Sequence, residues 1–182
     1  SPEPPSADYD IRVSAITIAS QRCFKSLRVW DEILGKRVSA FRHMHVWEQH
    51  SAASIHFDGA EIGEELLGYI IENRVIRHAL LDRVQHADNI DFMDDTRIKS
   101  CHATTADQHE LLFDNGRSCS TSLLIGADGS RSKVRSLAGI QPHGWKYDQS
   151  AIVATVRTEQ SLQQTAWQCF LDDGPLAFLP LQ

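Results

Sequence analysis

The sequence predicts a mixed fold of helices and sheets, in the α/β or α+β class, in which two β-sheets share the chain discontinuously. Some segments repeat apolar residues with the period of an amphipathic helix, and others alternate apolar and polar residues as half-buried strands do. The two kinds of segment are interleaved, which indicates that helices and sheets pack in layers. A chain of 182 residues with 42% hydrophobic side chains can bury the core of one domain or of two small ones.

The chain is predicted to open with a loop and then a helix. Residues 1–10 are rich in proline and acidic side chains, so we expect a mobile loop there. Apolar residues then recur at helical spacing from Ile16 to Leu27, with Ser14 as the N-cap and Gly35 as a later stop. Because the first residue is Ser1 and not methionine, we also expect a piece of a longer reading frame.

The next segments alternate between strand and helix patterns. Residues 41–47 and 53–57 show the two-residue period on either side of a polar turn, which predicts a hairpin. The apolar run at 68–71 predicts a strand, and the helical stripe over 75–84 predicts that a helix follows it.

The second half of the chain is predicted to be mostly short strands. Asp114-Asn115-Gly116 is a strong turn signal, and a short helix is predicted over 132–137. The strand predictions fall at 90–93, 97–103, 109–113, 118–125, 151–157, 166–171 and 176–181. The last of these has no partner left in the chain, so we expect an exposed edge strand that could pair with another chain.

Composition and charge argue against several classes of function. The chain has 18 basic and 24 acidic side chains, a net charge of −6, and its Lys and Arg residues are scattered, so no nucleic-acid partner is predicted. The four cysteines show no zinc-ribbon spacing and are interpreted as reduced thiols in a cytoplasmic protein. No apolar stretch approaches the roughly 18 residues that a membrane span requires.

The motif most indicative of chemistry lies at 123–135. An apolar run meets Gly126-Ala127-Asp128-Gly129, and a helix follows, which is how a fold presents a carboxylate and backbone N–H groups to a polar ligand. A purely structural interpretation, in which Asp128 only caps the helix, is equally consistent with the motif taken alone.

The residues around this motif resemble the flavin-dependent aromatic hydroxylases. The pattern G-A-D-G-x-x-S-x-V-R is similar to their second dinucleotide motif, and 10–16 (DIRVSAI) is similar to the segment whose arginine contacts FAD. Residues 68–75 (GYIIENRV) match a third segment, with Glu72 where the wider family often has a flavin-contacting glutamine. The resemblance implies that Arg12, Glu72 and Asp128 are FAD neighbours; without it, Arg12 would be interpreted as a solvated charge.

One branch of that family, the ubiquinone-biosynthesis hydroxylases, resembles the chain over most of its length. The matching segments include 29–31 (VWD), 72–73 (EN), 151–158 (AIVATVRT) and 177–181 (AFLPL). This implies a monooxygenase that uses FAD, NAD(P)H and O2 to hydroxylate a polyprenylated phenol or benzoquinol ring. Hydroxylation of a soluble aromatic substrate and a non-enzymatic interaction module remain as alternatives.

The resemblance also implies a domain division and a set of partners. Residues 1–37 and 68–141 would belong to a partial FAD-binding domain, and 38–67 and 142–182 to part of a substrate-binding β-sheet. The glycine-rich FAD motif that opens these enzymes and their later G-D segment are missing, so we expect an internal fragment that does not hold FAD tightly and is inactive alone. The expected partners are a prenylated aromatic substrate, a membrane surface contacted peripherally, and a second copy of the protein. No residue is assigned to catalysis.

Two other chemistries were weighed and not predicted. His43 and His45 share a strand face, but no carboxylate or cysteine completes a recognisable metal site, so no metal is expected. A hydrolase would need a G-x-S-x-G elbow, which is absent, and a pairing of Asp128 with Asp172 or Asp173 has little support.

Overall fold

A computed structural model describes residues 9–105 and 107–181, which form two compact units. Residues up to 90 and from 152 onward make the first unit, and residues 91–151 make the second. The first unit contains β1 (Val13–Thr17), α1 (Ile18–Ser26), α2 (Trp30–Leu34), β2 (Val38–Phe41), β3 (His43–Glu48), β4 (Ser54–Asp58), a 3-10 turn (Gly59–Ile62), β5 (Gly68–Glu72), α3 (Asn73–Gln85), β9 (Thr165–Leu171) and β10 (Gly174–Phe178). The second contains β6 (Ile98–Thr105), β7 (Gln108–Phe113), β8 (Ser118–Thr121) and α4 (Lys133–Leu137).

The first sheet of the first unit has β5 at its centre, paired antiparallel with β1 on one side and β2 on the other. One face of this sheet and the helices bury an apolar core made by Ile16, Val29, Trp30, Ile33, Val38, Ile71, Val75 and Ala79. Gly68 permits this pairing, because a Cβ there would lie 2.3 Å from the backbone oxygen of Ile16. The carboxyl end of β5 and the start of α3 are therefore fixed on a rigid support.

The second sheet of the first unit has the strand order β10-β9-β3-β4. Strands β3 and β4 form the predicted hairpin, while β3 and β9 run parallel although more than a hundred residues separate them in sequence. Its smaller buried cluster consists of Phe41, Ile70 and Ala166. The second unit is an antiparallel meander, β6-β7-β8, with Leu111 and Phe113 buried.

Several predicted elements are confirmed: the hairpin at β3 and β4, the strand and helix at β5 and α3, the Asp114–Gly116 turn and the short helix α4. The first helix begins later in the chain than the sequence predicts. Residues 13–17 are strand β1, and α1 starts at Ile18 with Thr17 as N-cap, its hydroxyl oxygen accepting from the Ser20 N–H. Pairing with β5 decides this segment, because it buries Ile16 against the core as a strand residue.

Other strand predictions are wrong in position. Strand β8 ends at Thr121, and Leu123 and Ile125 are 69% and 73% exposed, so the apolar run before Gly126 is not a buried strand. Residues 90–93 and 151–157 lie outside the strands. Strand β10 does have a partner, because it pairs with β9, although it does lie at a sheet edge as expected.

The remaining expectations about organisation have mixed outcomes. Of the loop predicted over 1–10, residues 1–8 lie outside the described residues. The predicted division into 1–37 with 68–141 and 38–67 with 142–182 stays a prediction. In the part of the chain that the structure describes, no helix has the length and apolar character to cross a membrane.

Candidate functional site

Glu72, at the end of β5, is a buried carboxylate held by two arginines. Its side chain is only 2% exposed. The Nε atoms of Arg37 and Arg74 donate to its two oxygens at 3.0 and 2.8 Å, and the backbone N–H of Asp10 donates to Oε2 at 2.8 Å. Arg37 also stacks on the Tyr9 ring, with its guanidinium carbon 4.4 Å from the ring centroid. Burial of the charge is tolerated because each oxygen has charge-assisted partners.

Arg12 lies on the segment that this carboxylate holds. The N–H of Arg12 donates to Asp10 Oδ1 at 3.0 Å, and its carbonyl oxygen accepts from the Asn73 N–H at 3.0 Å. Asn73 accepts a further hydrogen bond, through its side-chain oxygen, from the Ser14 hydroxyl at 2.6 Å. The backbone around Arg12 is thus fixed, whereas its guanidinium is exposed and makes no ion pair with any residue that the structure describes.

Asp128, in the second unit, holds the first turn of α4. The Ser132 hydroxyl donates to Oδ1, and the backbone N–H groups of Lys133 and Val134 donate to Oδ2 at 2.6 and 3.2 Å. The Ser132 hydrogen bond, supported by those two amides and opposed by desolvation, lowers the pKa of Asp128 below its ordinary value. The hydrogen bonds of Asp128 therefore match the structural interpretation of the motif, in which this carboxylate caps the helix.

Glycine is required at the two positions of the motif for different local reasons. A Cβ on Gly126 would lie 3.1 Å from the Val134 side chain, so glycine allows the chain to pass close to α4. Gly129 has φ +80°, the left-handed region that glycine enters without strain. Together they form the tight turn that brings Asp128 to the helix start.

The structure thus brings Arg12 and Glu72 together in the first unit and places Asp128 in the second. It also identifies Arg37 and Arg74 as the partners of Glu72, which sequence reasoning missed. Arg74 follows Glu72 by two residues and could have been noticed, whereas Arg37 reaches Glu72 only because β2 pairs with β5.

A second candidate region lies on one face of the β10-β9-β3-β4 sheet. His45 and Trp47 on β3 point to the same face as Trp167 on β9, with ring centroids 5.4 Å apart for His45–Trp167 and 6.2 Å for Trp47–Trp167. These three rings and residues 51–54 line an open cleft of about 290 Å³. An aromatic lining of this kind suits a flat, mostly apolar ligand.

Comparison with known proteins gives consistent relatives. No protein-family model matches the chain. The ubiquinone biosynthesis monooxygenase COQ6, mitochondrial, of Homo sapiens is 40% identical over 97% of this chain. The 3-demethoxyubiquinol 3-hydroxylase of Escherichia coli K12 is 38% identical over 94% of it. The chain is thus similar to ubiquinone-biosynthesis hydroxylases over nearly all of its own length. It spans about two-fifths of the length of these relatives, 39% of the first and 44% of the second.

Solved structures agree on the fold. Klebsiella pneumoniae HpxO complexed with FAD and uric acid matches 97% of this chain and 45% of its own, with a TM-score of 0.66 and 18% identity. PqsL from Pseudomonas aeruginosa, a probable FAD-dependent monooxygenase, matches 75% of this chain and 38% of its own, with a TM-score of 0.64 and 18% identity. At such identities the likeness shows the fold alone, and it confirms the predicted mixed architecture of helices and sheets.

Proposed function

We propose that the chain is part of an FAD-dependent monooxygenase that hydroxylates a polyprenylated phenol or benzoquinol ring in ubiquinone biosynthesis, with NAD(P)H as reductant. The observation that supports this best is Arg12, an exposed guanidinium on a backbone segment fixed by Glu72 and Asn73. Similarity to ubiquinone-biosynthesis hydroxylases over 94–97% of the chain supports a role for that arginine in FAD binding.

The residues of the first unit fit an FAD phosphate. An arginine presents a planar fork of N–H donors that matches phosphate oxygens, and a guanidinium without a carboxylate partner has these donors available. The backbone bonds around Arg12 reduce the conformational freedom that binding would otherwise have to remove. Bound FAD would supply the redox chemistry by which one atom of O2 enters the ring.

Glu72 and Asp128 contribute indirectly in this proposal. The Glu72 carboxylate is fully engaged by Arg37, Arg74 and the Asp10 N–H, so it positions the segment of Arg12 and does not itself bind the flavin. Asp128 is likewise engaged by α4, so its contribution is to hold the Gly126–Gly129 turn in shape.

The aromatic cleft of the first unit is proposed to bind the ring of the substrate. His45, Trp47 and Trp167 offer edges and faces for a quinol or phenol, and Trp167 donates its indole N–H to the Leu162 carbonyl, at 3.4 Å, which orients the ring. A prenyl tail would bring the complete enzyme to a membrane surface, while its cytoplasmic location and self-association stay predictions.

Product analysis on the complete protein tests this function. With NADH or NADPH and O2 supplied, we expect hydroxylation of a short-chain prenylated phenol and little turnover of the same phenol without the prenyl group. Turnover of the unprenylated phenol alone would favour the alternative of a soluble aromatic substrate. Absence of any hydroxylated product from FAD-loaded protein would contradict the proposal.

Substitution of the cleft provides a matched comparison. Trp167→Ala is expected to raise KM for the prenylated phenol by about tenfold or more, since a large aromatic contact is lost. Trp145→Ala, which removes an 80% exposed tryptophan of the second unit, serves as the control. Equal changes in KM for the two variants would contradict the proposal that the cleft binds the substrate ring.

A further inference from the structure

Three potential metal ligands converge on the face of the second sheet of the first unit. His43 on β3 pairs across the hairpin with Asp58 on β4, and His56 precedes Asp58 by two residues, so all three side chains share one face. One ligand atom from each of them lies within 4.8 Å of the others. The hairpin register, which is fixed by five residue pairs, brings these groups together.

The histidine in the middle of the group has an unsatisfied nitrogen. His43 Nδ1 is buried from solvent and has no hydrogen-bond partner among the described residues, although the side chain as a whole is 33% exposed. Its nearest acidic atom, Asp58 Oδ2, is 3.7 Å away, which is too far for a hydrogen bond. Buried polar atoms normally have partners, so an unpaired nitrogen facing a carboxylate calls for an explanation.

The other two groups are arranged so that their ligand atoms stay available. Asp58 uses Oδ1 to accept from the Ala60 N–H at 2.9 Å, which leaves Oδ2 directed at His43. The rings of His43 and His56 stack with centroids 5.3 Å apart and an interplanar angle of 28°, so the two imidazoles are close neighbours with nearly parallel planes. His56 is exposed and Asp58 is half-buried, which gives an ion a route from solvent.

We propose that His43, His56 and Asp58 form a binding site for a divalent transition-metal ion of the zinc class. Two imidazoles and one carboxylate are a common donor set for such ions, and three protein ligands leave a position for water. A tetrahedral ion with bonds of about 2.1 Å holds its ligand atoms roughly 3.4 Å apart. The ligand atoms of the group lie within 4.8 Å of one another, so they must close by up to about 1.4 Å, which side-chain rotation can supply. Such an ion would satisfy His43 Nδ1.

The sequence alone points to a different pair of histidines. His43 and His45 are on one strand face, but the carboxylate that completes the set comes from β4, and the second imidazole is His56 and not His45. This combination of three residues can be identified only from the register of the hairpin, which places His43 opposite Asp58.

Zinc titration of the complete protein, freed of metal with a chelator, tests the site. With a chromophoric chelator as competitor, we expect one Zn²⁺ per chain, and we expect His56→Ala and Asp58→Asn to weaken binding about tenfold or more. Asp58→Asn keeps the oxygen that caps Ala60. His50→Ala is the control, because His50 also faces a carboxylate, Asp172 at 3.2 Å, but lies outside the group.

Thermal unfolding with and without Zn²⁺ distinguishes lost ligands from lost folding. At one fixed Zn²⁺ concentration, the Tm of the wild type and of His50→Ala is expected to rise, and that of His56→Ala and Asp58→Asn to rise clearly less. The proposal is overturned if the wild type binds no stoichiometric Zn²⁺, or if His50→Ala weakens binding as much as His56→Ala does. If both site variants unfold without metal, the Zn²⁺ stoichiometry of the wild type and of His50→Ala decides the question.

Discussion

At the scale of single residues, the structure distinguishes the side chains that are engaged by their neighbours from the one that is exposed. The sequence placed Arg12, Glu72 and Asp128 in one class, since a motif shows which residue types occur and not what each one touches. Glu72 and Asp128 prove to be engaged by their own surroundings, and Arg12 is left with an exposed guanidinium. Arg37 shows why such contacts cannot be predicted from the sequence. Its contact with Glu72 depends on the pairing of β2 with β5, two strands that are far apart in sequence.

Replacing Glu72 by glutamine tests its supporting role. The substitution keeps the shape but removes the charge, leaving two partly exposed arginines beside a neutral amide. We expect the free energy of unfolding to fall by about 2–3 kcal/mol, somewhat less than for a fully buried pair. Glu65→Gln, which breaks an exposed pair with Arg42, should change it by less than about 1 kcal/mol. Equal losses in urea denaturation would contradict the assigned role.

The lowered pKa of Asp128 makes part of the stability of the second unit depend on pH. Since the folded-state pKa is below the unfolded value of about 4, the ionised carboxylate stabilises the fold above that value, and this contribution is lost as the pH falls through the folded-state pKa. Asp128→Asn should therefore lower the Tm at pH 7, and the gap to wild type should narrow below about pH 4. Asp91→Asn, an exposed control in the same unit, should leave the Tm unchanged. A gap that stays constant across this range would refute the linkage.

At the scale of elements, local patterns predicted the hairpin, the β5–α3 pair and the turn before β8, whose signals lie within a few residues. They failed where pairing partners are far apart in sequence. Helical spacing at 14–17 gave way to the pairing of β1 with β5, and β10 found its partner in β9. The sequence predicts a strand through the apolar run at 123–125, but Leu123 and Ile125 are exposed and β8 ends before them.

Gly68 tests the packing of β1 on β5. An alanine Cβ at this position would lie 2.3 Å from the Ile16 backbone oxygen. Ile16 on β1 and Ile71 on β5 both belong to the buried core, so moving the two strands apart would cost core packing. We expect Gly68→Ala to cost about 3 kcal/mol or more, or to prevent folding. Gly35→Ala is the control, since its Cβ would make ordinary contacts at 3.4 Å, and it should be neutral or slightly stabilising. Similar unfolding midpoints for the two variants would show that β1 does not pair as described.

At the scale of the whole molecule, the fold class and the similar proteins agree, and both are consistent with the proposed flavin binding. The chain matches hydroxylases of ubiquinone biosynthesis over nearly all of its length while spanning about two-fifths of theirs. Its first unit holds Arg12 on a fixed support, and its second holds the Asp128 turn. The resemblance of the sequence leads to this proposal, whereas the contacts that support Arg12 are seen only in the structure.

The affinity of the complete protein for FAD, measured by flavin fluorescence, tests this account most directly. Arg12→Ala is expected to weaken FAD binding about tenfold or more, because a charge-assisted contact to phosphate is worth roughly 1.5–3 kcal/mol. Arg22→Ala, which removes an exposed guanidinium paired with Glu64, should bind FAD as the wild type does. Unchanged FAD affinity in folded Arg12→Ala protein would contradict the central claim.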